Sequence, residues 1–218
     1  MIYGIWKNGA IERRLQADNA FSLNETNYPA RWLICATKEE REGLSIYPIL
    51  FSAIEEDQRY YATVEGEPSF SAGSIIIPLT FTLKSPDAIR STKLGEIASR
   101  RAGAQTQGVL AEGSIFPTDA QAYSDIWLVA RDIADGLLET AQVVDRKGIV
   151  KRMTALQVSA LRQSMIALRE DARKNDAALT LAVDAAWYTG DPAAVLAADT
   201  SVGWPVPPVL PEDVKVSV

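Results

Sequence analysis

Between Leu156 and Trp187 a three-four rhythm runs unbroken through Val158, Leu161, Met165, Leu168, Ala172, Asn175, Leu179, Ala182 and Ala186. A stripe of this kind over about four heptads demands a long helix with a narrow face laid on another helix. Thr154 with Gln157 forms a capping box at its start, and Gly190 stops it. The flanking positions are polar: Arg162, Gln163 and Ser164, then Arg169, Glu170 and Asp171. Ile166, Leu181 and Val183 fall beside the seam and broaden it toward the C-terminus. Two arrangements satisfy the pattern. The seam packs inside its own domain on a helix expected over residues 119–142, or it meets a copy of itself. In a self-associated seam Asn175 would set the register; otherwise it caps or faces water.

The rest of the chain divides by texture. Residues 1–85 read as a β-rich module. Asn8-Gly9 is a hairpin turn between "IYGIWK" and "AIERRLQ". "YPARWLICA" reads as an apolar strand holding a buried Cys35, and Thr37 with Glu40 opens a short helix. "SIYPILFSAI" reads as a strand with Pro48 at an edge or bulge, and residues 59–83 as strands joined by turns. Residues 86–203 read as a helical module. Ser85-Pro86 starts a helix running to about Gln107, with Ile89, Leu94 and Ile97 inward. "GVLAEGSIF" turns at Glu112-Gly113. Thr118 with Gln121 is a capping box for a helix whose inward positions are Tyr123, Ile126, Ala130, Ile133, Leu137 and Ala141. A hairpin turns at Lys147-Gly148, and Asp191-Pro192 starts a last short helix. Residues 204–218, with Trp204, Pro205, Pro207, Pro208 and Pro211, form an extended tail. The expected class is α+β.

Composition removes several chemistries. The 218 residues hold no histidine and one cysteine, so no Ser-His-Asp or Cys-His nucleophile and no His- or Cys-based zinc site can be assembled. Neither GxGxxG nor GxxxxGK[ST] occurs. No catalytic residue, cofactor or metal ligand is expected. Glu55-Glu56-Asp57 is the densest acidic cluster; a glycosidase would need two carboxyls in a cleft, but adjacent acids ahead of "QRYY" read as a solvated turn. The net charge is −6, and residues 1–85 and 86–218 carry −3 each, so neither nucleic acid nor an anionic membrane is an expected partner. Arg146, Lys147, Lys151 and Arg152 gather at the second hairpin as a solvated rim or a phosphate patch, and Arg100-Arg101 complements a helix end. The five tryptophans read as core and interface anchors. No run reaches transmembrane length, and "MIYGIWKNG" lacks signal-peptide features, so synthesis in a cytoplasm is expected.

Residues from about Lys93 to Pro205 resemble the C-terminal domain of many tailed-phage tail and tail-fibre proteins, the family called domain of unknown function 4376. The resemblance rests on Gly108-Val109, on Gly113 to Asp119 opening a helix, and on Lys147-Gly148. It continues through "TALQVSAL" and the terminal Gly203-Trp204-Pro205. That family usually has a tryptophan ahead of the second hairpin, where Val143 and Val144 stand here. "RWLICATKEEREGLSIYPI" also looks like a recurring phage tail segment. The resemblance implies a structural or adaptor component of the virion tail, near the fibre or baseplate, binding other tail proteins and forming a homo-oligomer; a trimer is expected by analogy with fibres. The expected interface residues are Val158, Leu161, Met165, Leu168, Ala172, Asn175 and Leu179 on the seam, with Trp204, Pro205, Pro207 and Pro208 on a strap along a neighbour. A tail-fibre assembly chaperone is the second reading, and a cell-wall hydrolase using Glu55 or Glu56 the third.

Overall fold

The computed structural model describes residues 1–52 and 56–210. The protein is α+β, with a β-rich first part and a helical second part. It divides into two compact units, Met1–Lys84 and Ser85–Val218.

In the first unit, strands β1 (Ile2–Lys7) and β2 (Ala10–Gln16) form the expected hairpin, with Asn8 and Gly9 both at positive φ. A second hairpin, β3 (Phe21–Leu23) and β4 (Thr26–Tyr28), turns at Asn24-Glu25, again with both residues at positive φ. The expected strand in "YPARWLICA" is instead a single helical turn, α1 (Trp32–Cys35). The Trp32 N–H bonds the Pro29 carbonyl, Arg31 is left-handed, and Arg41 holds the Leu33 carbonyl at 3.0 Å. Of α1 only Leu33 is buried; Cys35 is exposed, contrary to expectation. Helix α2 (Lys38–Gly43) carries the expected Thr37–Glu40 capping box.

Strands β5 (Ile46–Ser52), β6 (Tyr61–Glu65), β7 (Ser69–Ser71) and β8 (Ser74–Leu83) complete a sheet of order β2-β1-β5-β8-β6, with β7 also on β8. Pro48 stands in an inner strand, at the point where β5 leaves β1 and takes up β8. Its missing donor falls where the ladder changes partner, which is why an inner strand tolerates it. One face of β1 buries Tyr3 and Ile5 with Leu33, Phe21 and Ile46. The other face presents Gly4 to Ile49, Ile75 and Ile77; a Cβ on Gly4 would sit 2.7 Å from Ile75 Cδ1. Arg14 on β2 and Glu65 on β6 lie on opposite edge strands, yet Arg14 Nη1 donates to Glu65 Oε1 at 2.9 Å. The sheet therefore curls around this isoleucine cluster until its two edges meet.

In the second unit, α3 (Pro86–Thr106) starts at Ser85, whose hydroxyl accepts from the Ala88 N–H. Strands β9 (Val109–Ala111) and β10 (Ser114–Phe116) turn at Glu112-Gly113. Helix α4 (Ala120–Ala134) is capped by Asp119, not Thr118. Thr118 is fully buried, and its hydroxyl accepts the Gly108 N–H, so it is unavailable to the helix. The helix also ends well before residue 142: Gly136 is left-handed and the Leu137 N–H turns back to the Asp132 carbonyl. Leu137 is consequently exposed, and Ala141 is buried from strand β11 (Thr140–Val144), which pairs with β12 (Val150–Thr154). Helix α5 (Ala155–Trp187) carries both halves of the Thr154–Gln157 box, and Asp191 caps α6 (Pro192–Ala197).

The 33 residues of α5, about 50 Å of helix, form the spine of this unit. Val158, Leu161, Met165 and Leu168 are buried with Phe116, Ile126, Ala141 and Met153. Ala172, Leu179 and Val183 are buried on the half packed by α3 and α6. The chain's own elements thus fill the seam: the intrachain arrangement of the two expected is the one found, on α4 over the N-terminal half, and the interface expected on these side chains is corrected. The reason is that two helices share the spine. Helix α3 runs antiparallel to its C-terminal half, with Trp187 Nε1 on Asp87, Arg90 on Asp184 and Arg101 on Asp176, each at 2.7 Å. Arg101 therefore bridges to α5 and does not merely complement its own helix end. Helix α4 runs antiparallel to the N-terminal half, where the guanidiniums of Arg162 and Arg169 lie over the rings of Trp127 and Tyr123 at 3.6 and 3.8 Å. Leu161 has no exposed surface, so Leu161→Ala is expected to cost about 2–5 kcal/mol of unfolding free energy in urea.

Candidate functional site

The residues expected to carry an interface are not gathered into one. Asn175 is half-buried, and its Nδ2 donates to the Val202 carbonyl at 2.9 Å. Gly203, at φ +76°, approaches so closely that a Cβ there would lie within 3.0 Å of Asn175 Cγ. Trp204 Nε1 donates to the Thr200 carbonyl at 2.9 Å. Pro205 and Pro208 are half-buried and Pro207 is exposed. Gln107 donates to the Val206 carbonyl at 3.3 Å and Leu210 is buried. Residues 204–210 thus lie along their own unit, where the Gln107 side-chain amide and a slot beside the second hairpin receive them, with Val206 and Pro207 left exposed. Residues 211–218 of the expected strap are outside the described residues.

The acidic cluster is split in the same way. Glu55 lies outside the described residues and Glu56 is exposed. Asp57 is committed to a turn: its carboxylate accepts Arg59 Nε and Nη2 at 2.9 and 2.6 Å, and its carbonyl accepts the Tyr60 and Tyr61 N–H groups. The Arg59 side chain holds the Asp57 carboxyl below the usual range. Among the described residues, no three His, Cys, Asp or Glu side chains are grouped to hold a metal ion. No helix among them is long and apolar enough to cross a membrane.

The second hairpin is built around Asp145. Its side chain is buried and accepts the N–H groups of Lys147 and Ile149, both at 2.9 Å. With the Ser114 hydroxyl these donors, Ile149 foremost, hold the carboxyl below the usual aspartate range despite its burial. Gly148 at φ +80° lets the turn close, with its N–H on the Asp145 carbonyl. The basic residues around it are partly spent on the fold. Arg146 Nη1 donates to the Gln107 carbonyl and Arg152 Nε to the Thr140 hydroxyl, leaving Lys147 and Lys151 as the rim of a slot that Leu210 enters.

This turn also sets the register of β11, and the register defines an open edge. The Asp145 N–H bonds the Ile149 carbonyl, so 145 and 149 are a hydrogen-bonded pair. Alternation then gives Val143 and Ala141 to β12 and turns the N–H and C=O groups of Gln142 and Val144 outward. The Arg146 N–H, on the same side, bonds the Ile115 carbonyl of β10 at 2.7 Å. After Phe116, Pro117 ends β10, and β12 is the only ladder partner of β11 among the described residues. Beside Gln142–Val144 lies a groove of about 340 Å³. Phe116, Ile126, Val129 and Met165 form its apolar lining, and Asp119 and Asp125 are its charged residues. The expected hairpin at Lys147-Gly148 is present, but the helix expected over 119–142 covered the first three residues of the strand that makes one wall, so the groove was not expected. The Asp-x-x-Gly turn at 145–148 was the available signal.

The low pKa of Asp145 gives a pH prediction. A carboxyl depressed on folding adds stability that is complete above the ordinary aspartate pKa of about 3.9 and is lost as pH falls through the folded value. Asp145→Asn should lower the urea midpoint at pH 7. The midpoint should then fall less steeply between pH 5 and pH 2 than in the unaltered chain, followed by circular dichroism.

No family model, no curated protein and no solved structure matches this chain.

Proposed function

We propose that this protein is a structural or adaptor component of a bacteriophage tail, at the fibre or baseplate end, acting by binding other tail proteins. The observation that carries this reading is where the residues of the resemblance fall. Those of the Lys93–Pro205 segment lie in the second unit, at turns, caps and close contacts of its backbone, while "RWLICATKEEREGLSIYPI" lies in the first. Gly108 donates to Thr118, Gly113 and Gly148 make the two hairpin turns, Asp119 and Thr154 cap α4 and α5, and Gly203-Trp204 packs onto Asn175 and Thr200. An open strand edge beside an apolar groove adds a surface suited to another polypeptide.

Binding through the groove replaces the seam as the basis for assembly, since the seam is filled from within. Trimeric association remains an expectation by analogy with fibres. The chaperone reading shares the same binding surfaces and differs only in the finished particle. Quantitative mass spectrometry of purified virions separates them: a structural component is present in a fixed copy number, and absence of the chain from intact particles would remove the leading reading.

A further inference from the structure

We propose that the groove between α4 and the outer edge of β11 takes an extended segment of a partner polypeptide, added as a strand along Gln142–Val144. An apolar side chain of that segment would lie over Ile126 and Val129, and a lysine or arginine would face Asp119 and Asp125. This rests on the assembly reading only in taking the occupant to be a polypeptide.

Three observations converge on this occupant. The first is the backbone: the outward N–H and C=O groups of Gln142 and Val144 are what an added strand bonds, at the spacing a strand requires. The second is shape. Pro117 diverts the chain from β11 immediately after Ile115 has begun to bond Arg146, and the strand position beyond is left open above an apolar floor. The third is charge. Aspartates are the sole charged residues lining the groove. Asp119 Oδ1 accepts the Ala122 N–H and Asp125 Oδ1 accepts from Gln121, so neither carboxylate is paired with a cation in these bonds. A basic residue on the incoming strand supplies that cation, and an acidic one is repelled. Exposed edges of this kind invite pairing and are blunted in isolated proteins by charge or proline; Gln142 and Val144 supply neither.

The test uses the full chain and synthetic hexapeptide probes followed by amide chemical shifts. One probe alternates valine with lysine, one alternates valine with glutamate, and one is the lysine probe N-methylated at alternate amides. The lysine probe is expected to move the Gln142, Val144 and Val129 amides, and the other two to bind at least about tenfold more weakly. Val144→Pro removes an N–H that faces away from β12, so the hairpin keeps its own bonds while the lysine probe loses at least about tenfold in affinity. Asp125→Lys, on the exposed side of α4, should reverse the preference toward the glutamate probe without touching the strand. Equal binding of the lysine and glutamate probes, or undiminished binding of the N-methylated probe, would overturn the proposal. Self-association of the full chain that Val144→Pro abolishes would put a second copy in the groove and overturn a separate partner. Groove binding by the lysine probe with the chain absent from virions would remove the tail assignment alone; presence in virions with no binding would remove the groove alone.

Discussion

The second unit depends on one constraint: a single helix, α5, must bury a stripe along its whole length, and no single partner helix covers it. Helix α3 takes the C-terminal half and α4 takes the N-terminal half, both antiparallel to it. Burying Val158, Leu161, Met165, Leu168, Ala172, Leu179 and Val183 supplies the main apolar gain, at roughly 25 cal/mol per Å². The pairs on its flanks set register more than stability. Arg90–Asp184 and Arg101–Asp176 are partly solvated, and such pairs are worth little. Stacking of Arg162 and Arg169 on aromatic rings places cationic side chains beside the core while covering apolar surface with their stems.

Because α4 stops at Gly136, the chain returns as the β11–β12 hairpin over the same half of the spine. That return creates the groove. Asp145 closes the turn, the turn determines which amides of β11 face outward, and Pro117 keeps β10 from covering them. Packing, turn chemistry and an open strand edge are thus consecutive consequences of where one helix ends. The first unit reaches its core by another route. Gly4 leaves room for Ile49 and Ile75, and the Arg14–Glu65 pair spans the outer strands where the sheet closes.

Local signals were read well where they act over a few residues. Asn8-Gly9, Thr37–Glu40, Ser85-Pro86, Thr154–Gln157 and Asp191-Pro192 all do in the fold what their chemistry requires. Where two local signals competed, tertiary contacts chose between them. Thr118 and Asp119 were both able to cap α4, and burial of Thr118 against Gly108 left the task to Asp119. "RWLIC" carried strand-forming residues, but the carbonyl bonds to Arg41 favoured a helical turn. The hairpin was legible but the groove was not, because the helix expected to residue 142 covered the start of β11 and hid where α4 ends.

The sequence by itself determined that α5 exists, where it is capped, and which of its faces must be buried, because helical periodicity and capping are properties of neighbouring residues. Composition alone also excluded histidine-dependent catalysis by this chain, a Cys-His pair included. Tertiary structure decided what covers that face, since a heptad stripe specifies the shape of its partner and not its origin. Only the folded chain could show that α3 and α4 fill the seam from within and that the edge of β11 is left open. Both depend on contacts between residues far apart in sequence, and no local pattern encodes those.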